Sequence, residues 1–237
     1  MSKKARPQTF SLPELPRLTA IQWVILLVVM ILSFCFLSWV RTPSRIINAA
    51  VFTLVPLVAF LLIQRDTLKA LIRRPSGRDI GIGIGYGFLS LLFSLVLALL
   101  MQYLVHTGNV EANTLYANIA AHPAEMIITV VIQLFGEEML TLIFFLFFAQ
   151  VFGRCCKTQK GALIIAWIGS AIVFGLLHYP TYQNWFHVLL VIGGARLILS
   201  LAFLKSKNLI TSYIAHLVDD FASVGILILF TALSSLA

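Results

Sequence analysis

The sequence predicts an all-α, polytopic transmembrane helix bundle of about seven to eight spans. Of its 237 residues, 60% are hydrophobic and only 11% are charged, and the mean hydropathy is +0.98. Long uncharged runs of this composition are typical of helical membrane proteins. A single bundle accounts for the chain length, so we expect a basic arm over residues 1–20 and one helical domain over residues 21–237.

The apolar runs locate the individual spans. We expect seven helices at about residues 21–40, 46–63, 80–105, 126–151, 162–178, 186–204 and 209–230. Each run approaches or exceeds the 18 or so residues that a membrane helix needs. The first run is longer than the apolar core of a cleaved signal peptide, so we interpret it as a retained helix.

The charge pattern predicts the orientation in the membrane. The formal net charge is +8, and the basic residues lie mainly between the apolar runs, where they favour the cytoplasmic side. This places the N-terminus and the loops after the second, fourth and sixth helices in the cytoplasm, with only Arg41 and Arg45 on the other side. We therefore predict a multi-pass protein of the cell membrane, with the lipid bilayer as a partner and no nucleic acid.

Four glycines open the third predicted helix. Gly81, Gly83, Gly85 and Gly87 form two overlapping G-x-x-x-G pairs, a spacing that favours close helix packing. A phosphate-binding loop would need a preceding strand, and the sequence predicts none. We expect these glycines to pack against another helix.

Glu137 and Glu138 stand side by side near the middle of the fourth run, which carries no other charge from residue 126 to residue 151. A charged side chain at that depth costs at least ~2.5–3.5 kcal/mol on insertion scales, so such residues are usually functional. We expect the two carboxylates to meet protons, cations, water or hydrogen-bond donors inside the bundle.

Further ionisable residues occur in the later spans. His216 and Asp220 are four residues apart and share one helix face, whereas Asp219 points to the flank. Phe174 and His178 share a face in the same way. For His216 and Asp220, the alternative to a functional site is a structural His–Asp pair that joins two helices.

His178 and Arg196 each have a simpler interpretation as well. A histidine at a helix end before a proline is commonly an interfacial cap, and an arginine in a span can snorkel to the headgroups. Arg196 lies midway through the sixth run, far from either surface, so we expect it to pair with a buried carboxylate. Together the carboxylates, imidazoles and guanidinium provide the groups for water activation and for oxyanion stabilisation.

The order of these residues resembles a known family. Glu137-Glu138 on one helix, Phe174-x-x-x-His178 on the next and His216-x-x-x-Asp220 on a late helix are similar to the motifs of the CPBP intramembrane proteases. These are also called Abi proteins and are related to the type II CAAX prenyl endopeptidases. The resemblance covers roughly residues 128–221.

The resemblance implies an intramembrane endopeptidase that acts on a membrane-associated or prenyl-like peptide substrate. One of the paired glutamates, of which we favour Glu137, would activate water, while His178, His216 and Asp220 position the water and the oxyanion. Phe174, Arg196 and Asp219 would support them. The resemblance also implies no metal cofactor, with zinc as a minor alternative, and a role in bacteriocin maturation or self-immunity.

The chain departs from the family pattern at one position. The first motif normally reads Glu-Glu-x-x-x-Arg, and Leu142 stands where the arginine is expected. We hypothesise that Arg196 takes over part of that role. The departure also favours a second function, a non-catalytic immunity or scaffold protein.

A proton-coupled or cation-coupled transporter is a third possibility. It is disfavoured because the ionisable residues lie almost wholly in the second half, without inverted repeats.

The protease interpretation has one geometric difficulty. Straight helices would leave His178 near the outer face of the membrane and His216 in the inner half.

Overall fold

The computed structural model describes residues 17–105, 119 and 121–234, so most of the predicted basic arm lies outside the described residues. The described residues form helices and no strands, and seven of the helices are long and apolar enough to cross a membrane. The predicted polytopic helix bundle is confirmed. The helices are α1 Ala20–Trp39, α2 Arg45–Leu71, α3 Gly77–Val105, α4 Pro123–Cys155, α5 Gln159–Leu177, α6 Tyr179–Tyr182, α7 Gly193–Ser206 and α8 Leu209–Ser234.

Polar side chains cap the helices where the apolar runs begin. Thr19 and Gln22 form a reciprocal capping box at the start of α1, and Thr158 accepts a hydrogen bond from the Gly161 N–H at the start of α5. Such caps satisfy amides that have no partner within the helix. They explain why each of these helices begins just before its apolar run.

The second helix is longer than its apolar run predicts. α2 continues to Leu71, and its direction changes at Gln64, which has non-helical backbone angles. The change falls where the sequence turns from apolar to polar. The predicted end of this helix at about residue 63 is therefore wrong, because Arg65 and Lys69 lie on the helical extension beyond the kink and not in a loop.

Helix α4 is the central element of the bundle. It packs against α1, α2, α5 and α8, and the residues around the paired glutamates are almost all buried. Thr53 of α2 donates a hydrogen bond to the Ile132 carbonyl at 2.8 Å, and Phe145 meets Phe203 of α7 edge to face. The carboxylates therefore lie in the most enclosed part of the described chain.

Helix α3 packs closely on α8 through one of its two glycine pairs. A Cβ at Gly87 would lie 2.6 Å from the Ala215 carbonyl oxygen, and one at Gly83 would lie 2.8 Å from the Thr211 carbonyl oxygen. Gly81 and Gly85 have no neighbour within 4 Å on that side. The expected helix packing therefore involves Gly83 and Gly87, one turn apart on a single face.

A π-helical segment, His187–Ile192, leads directly into α7, so that the two form one span. The preceding turn is held by stacking of Tyr179 on Trp185, with ring centroids 4.0 Å apart. α5 approaches the segment so closely that a Cβ at Gly175 would clash with the Val188 carbonyl oxygen. π-helical turns are rare and are often found near functional sites.

The turn between α7 and α8 is joined to the loop between α2 and α3. Lys207, in the left-handed conformation with φ 55°, ends α7. The Asn208 side-chain amide then donates to the Arg73 carbonyl at 3.0 Å, and the Arg73 guanidinium donates to the Ser206 carbonyl at 2.6 Å. These bonds fix the start of α8, the helix that carries His216.

Candidate active site

Glu138 accepts hydrogen bonds from three side chains on two other helices. The guanidinium of Arg196 binds it bidentately, with Nη1 2.6 Å from Oε1 and Nη2 2.7 Å from Oε2. Ser212 Oγ donates to Oε2 at 2.5 Å, and His216 Nδ1 lies 2.9 Å from Oε1. Because a carboxylate oxygen in this contact only accepts, the imidazole Nδ1 is the donor. Glu138 thus joins α4, α7 and α8.

Arg196 is 1% exposed and does not snorkel to the surface. Its guanidinium carbon lies 5.0 Å from the centroid of the Phe174 ring, a distance at which a cation is attracted to an aromatic face. The Nε–H also points toward Ser200 Oγ at 3.5 Å. The arginine is therefore held by its contacts with Glu138, Phe174 and Ser200.

Glu137 has much sparser surroundings than its neighbour. Its Oε1 accepts one hydrogen bond, from the Gln133 side-chain amide at 2.9 Å. Its Oε2 faces His216 Nε2 at 3.8 Å, which is too long for a direct hydrogen bond. The side chain is 11% exposed. One oxygen of Glu137 therefore has room for a further partner.

His216 Nε2 lies between two carboxylates. It is 3.8 Å from Glu137 Oε2 and 3.6 Å from Asp220 Oδ1. Polar groups at such distances are commonly bridged by water. Since the Asp220 side chain is 40% exposed, this is the accessible side of the cluster.

His178 reaches the cluster through an aromatic ring. Its Nδ1 donates to the Phe174 carbonyl at 2.8 Å, which leaves Nε2 as the other ring nitrogen for a partner. The Phe174 ring centroid lies 4.6 Å from that of His178 and 6.2 Å from that of His216. The structure therefore brings His178 next to the site, with Phe174 between the two histidines, and the expected depth difference does not separate them by a helix length.

Asp219 points away from the glutamates. Its Oδ2 accepts a hydrogen bond at 2.8 Å from Ser90 Oγ of α3, and both residues are buried. Asp219 therefore contributes to the contact between α3 and α8, in line with its flanking position in the sequence.

A small cavity lies beside the Glu138–Arg196 ion pair. Leu142, the residue at the expected arginine position, lines it together with hydroxyl-bearing and apolar side chains. Glu137 and His216 are not among the lining residues. The ion pair therefore stands between the cavity and the accessible side of the cluster.

The described residues contain no group of three or more histidine, cysteine, aspartate or glutamate side chains arranged to hold a metal ion. The expectation of a cofactor-free site stays a prediction.

Sequence reasoning missed three polar residues of this region. Gln133 and Ser212 bind the two glutamates, and Ser90 binds Asp219. Gln133 carries a usable signal, since it is an amide in an apolar run and lies one helical turn before Glu137. The serines carry none, because a serine in a span commonly bonds to its own helix, as Ser33 does to the Val29 carbonyl.

Part of the chain matches a known protein family. Residues 119–222 match the model of the type II CAAX prenyl endopeptidases, Rce1-like. The matched segment includes both glutamates, His178, Arg196 and His216, and it confirms the resemblance inferred from the sequence motifs. No curated protein and no solved structure shows a significant match.

Proposed function

We propose that this chain is a CAAX-protease-like membrane endopeptidase with a glutamate-based mechanism, and the match of residues 119–222 to the type II CAAX prenyl endopeptidase model supports this. In this proposal the protein hydrolyses peptide bonds of a membrane-associated substrate with water activated by Glu137. The observation that carries the proposal is the contrast between the two adjacent carboxylates. Glu138 is enclosed by donors, whereas Glu137 has an oxygen that faces the accessible side.

A general base needs a lone pair within reach of the proton that it removes. The oxygens of Glu138 are occupied by Arg196, His216 and Ser212. Glu137 Oε2 has no such donor and faces the space beside His216 and Asp220. This difference supports Glu137 as the base and Glu138 as the residue that positions His216.

The reaction is an ordinary hydrolysis. Glu137 takes one proton from water as the water oxygen bonds to the substrate carbonyl carbon, which produces a tetrahedral oxyanion. The C–N bond then breaks, and the leaving nitrogen receives the proton from Glu137. His178 and His216 stabilise the oxyanion by donating hydrogen bonds, and Asp220 orients the water.

Arg196 supports a catalytic rather than a purely structural function. The resemblance expects a cation near the paired glutamates, and the chain has Leu142 at that position. The bidentate contact between Arg196 and Glu138 supplies a cation from α7 instead. In the proposal, Arg196 holds Glu138 so that Glu138 can hold the imidazole of His216.

The protein acts in the cell membrane with its N-terminus in the cytoplasm, in keeping with the predicted charge pattern. Its substrate is a membrane-associated or prenyl-linked peptide, and its biological role is bacteriocin maturation or self-immunity. It needs no cofactor.

The substitution Glu137→Gln tests the mechanism, because it nearly preserves shape while removing the base. Cleavage of an internally quenched, farnesylated peptide with a CAAX-type C-terminus is measured with purified protein in micelles. We expect a loss of about 10²-fold to 10⁴-fold in kcat, with thermal unfolding unchanged. Glu125→Gln, which alters the glutamate in the first turn of α4, is the matched control and keeps the wild-type rate.

Two outcomes would overturn the proposal. Full activity of Glu137→Gln would exclude this residue as the base. Failure of the folded wild-type protein to cleave the peptide, with an immunity phenotype that survives Glu137→Gln, would favour the non-catalytic immunity or scaffold function.

A further inference from the structure

Gln133 is a polar residue in the lipid-facing first half of α4. It is half-buried and lies among exposed apolar residues such as Ile128 and Val131. An amide that leaves water without a hydrogen-bond partner is destabilising. Its side chain contacts Glu137, four residues later on the same helix face.

The contact with Gln133 makes the two oxygens of Glu137 different. Oε1 accepts the amide N–H at 2.9 Å, and Oε2 is the oxygen that faces His216. The terminal torsion of a glutamate is broad and roughly two-fold when nothing holds the carboxylate. A charge-assisted hydrogen bond to one oxygen fixes the plane of the group and the direction of the other oxygen.

No second side chain shares this task within the described part of the chain. Gln133 is the one side-chain donor within hydrogen-bond distance of the Glu137 carboxylate there. Glu138, by comparison, would keep several donors if one were removed. The orientation of Glu137 therefore depends on Gln133 more than that of Glu138 depends on any one partner.

We propose that Gln133 is the positioning residue for Glu137, holding Oε1 so that Oε2 points at the space beside His216 and Asp220. Gln133 does not touch the reacting atoms in this arrangement and acts through Glu137. The inference rests on the proposed function, in which Glu137 is the base. It adds a residue outside the motifs that carry the family resemblance.

The kinetic test compares two substitutions at Gln133. Gln133→Leu removes the donor at similar volume, and Gln133→Glu keeps the shape but offers a carboxylate, which when ionised cannot donate. With the farnesylated quenched peptide we expect both to lower kcat by about tenfold or more, because a misdirected base reacts poorly, and to leave KM within about twofold. Gln102→Leu, which alters an exposed glutamine on α3, keeps the wild-type kcat.

A spectroscopic test needs no substrate. The infrared difference spectrum between wild-type protein and Glu137→Gln isolates the carboxylate bands of Glu137 at a fixed pH. Loss of a hydrogen bond changes the carboxylate stretching frequency, so we expect the bands to shift in Gln133→Leu and to stay in place in Gln102→Leu. Thermal unfolding confirms that each variant is folded.

The outcomes separate this inference from the proposed function. If Glu137→Gln abolishes cleavage while Gln133→Leu keeps the wild-type kcat and infrared bands, Gln133 has no positioning role and the mechanism stands. A wild-type rate in Gln133→Glu would show that the donor is unnecessary and would also overturn the inference. If Glu137→Gln keeps its activity, the mechanism fails, and the infrared bands alone decide whether Gln133 holds Glu137.

Discussion

Glu137 and Glu138 are neighbours in the chain but occupy opposite kinds of environment. Successive residues of an α-helix point about 100° apart, so one carboxylate faces α7 and the other faces the open side toward Asp220. Glu138 meets a guanidinium, an imidazole and a hydroxyl, whereas Glu137 meets one amide. The two glutamates have the same side chain but different hydrogen-bond partners.

The difference separates stability from reactivity. A buried charge is tolerated when its partners are in place, and removing one partner leaves the other charge uncompensated. Glu138 has that dependence on its partners, which makes it part of the architecture. Glu137 has an oxygen to spare, and a group that is incompletely satisfied in the resting protein can bind and deprotonate water.

The largest effect is expected from Arg196→Leu, which removes the cation that binds Glu138. We expect a loss of about 3–5 kcal/mol in the free energy of unfolding, because Glu138 remains buried without its cation. Equilibrium unfolding in mixed micelles measures the loss. The double variant Glu138→Gln with Arg196→Met removes both charges and should recover most of it, and an equally unstable double variant would contradict an ion-pair origin.

The link between α3 and the site is tested by two glycines. Gly87→Ala places a methyl group against the Ala215 carbonyl, next to His216, and should cost about 1–3 kcal/mol by overpacking. It should also lower activity, since His216 binds Glu138 and faces Glu137. Gly85→Ala meets no neighbour within 4 Å and should be neutral or stabilising by up to about 1 kcal/mol. Equal effects of the two substitutions would show that α3 and α8 are not in close contact.

The smallest effect is expected at Asp219, which lies on the flank of the site. Ser90→Ala removes the donor to Asp219 and should cost about 1 kcal/mol while leaving kcat within about threefold, because Asp219 points away from the glutamates. Ser94→Ala is the matched control, since Ser94 bonds only within α3, to the Ser90 and Leu91 carbonyls, and should change stability by less than about 0.5 kcal/mol. A large loss of activity in Ser90→Ala would assign Asp219 to the site.

Much of this architecture follows from the free-energy cost of placing polar and charged groups in a membrane span. The spans follow from hydropathy, and the expectation that Arg196 pairs with a carboxylate follows from the cost of a charge in a span. The choice of Glu138 as its partner does not follow, because helix rotation and tilt depend on packing. The kink at Gln64 falls where the apolar run ends, but hydropathy does not show that the helix continues beyond it. The sequence patterns gave no sign of the π-helical segment.

The π-helical segment His187–Ile192 also determines the rotational register of everything that follows it. A π-turn accommodates one more residue than an α-turn of similar length, so its widened backbone absorbs the rotation of about 100° that one residue adds in an α-helix. Deleting a single residue there would let the segment close into regular α-helix. Arg196 would then stay on the same face of α7 and keep its ion pair with Glu138, because the widened turn had already absorbed the rotation that the deleted residue adds.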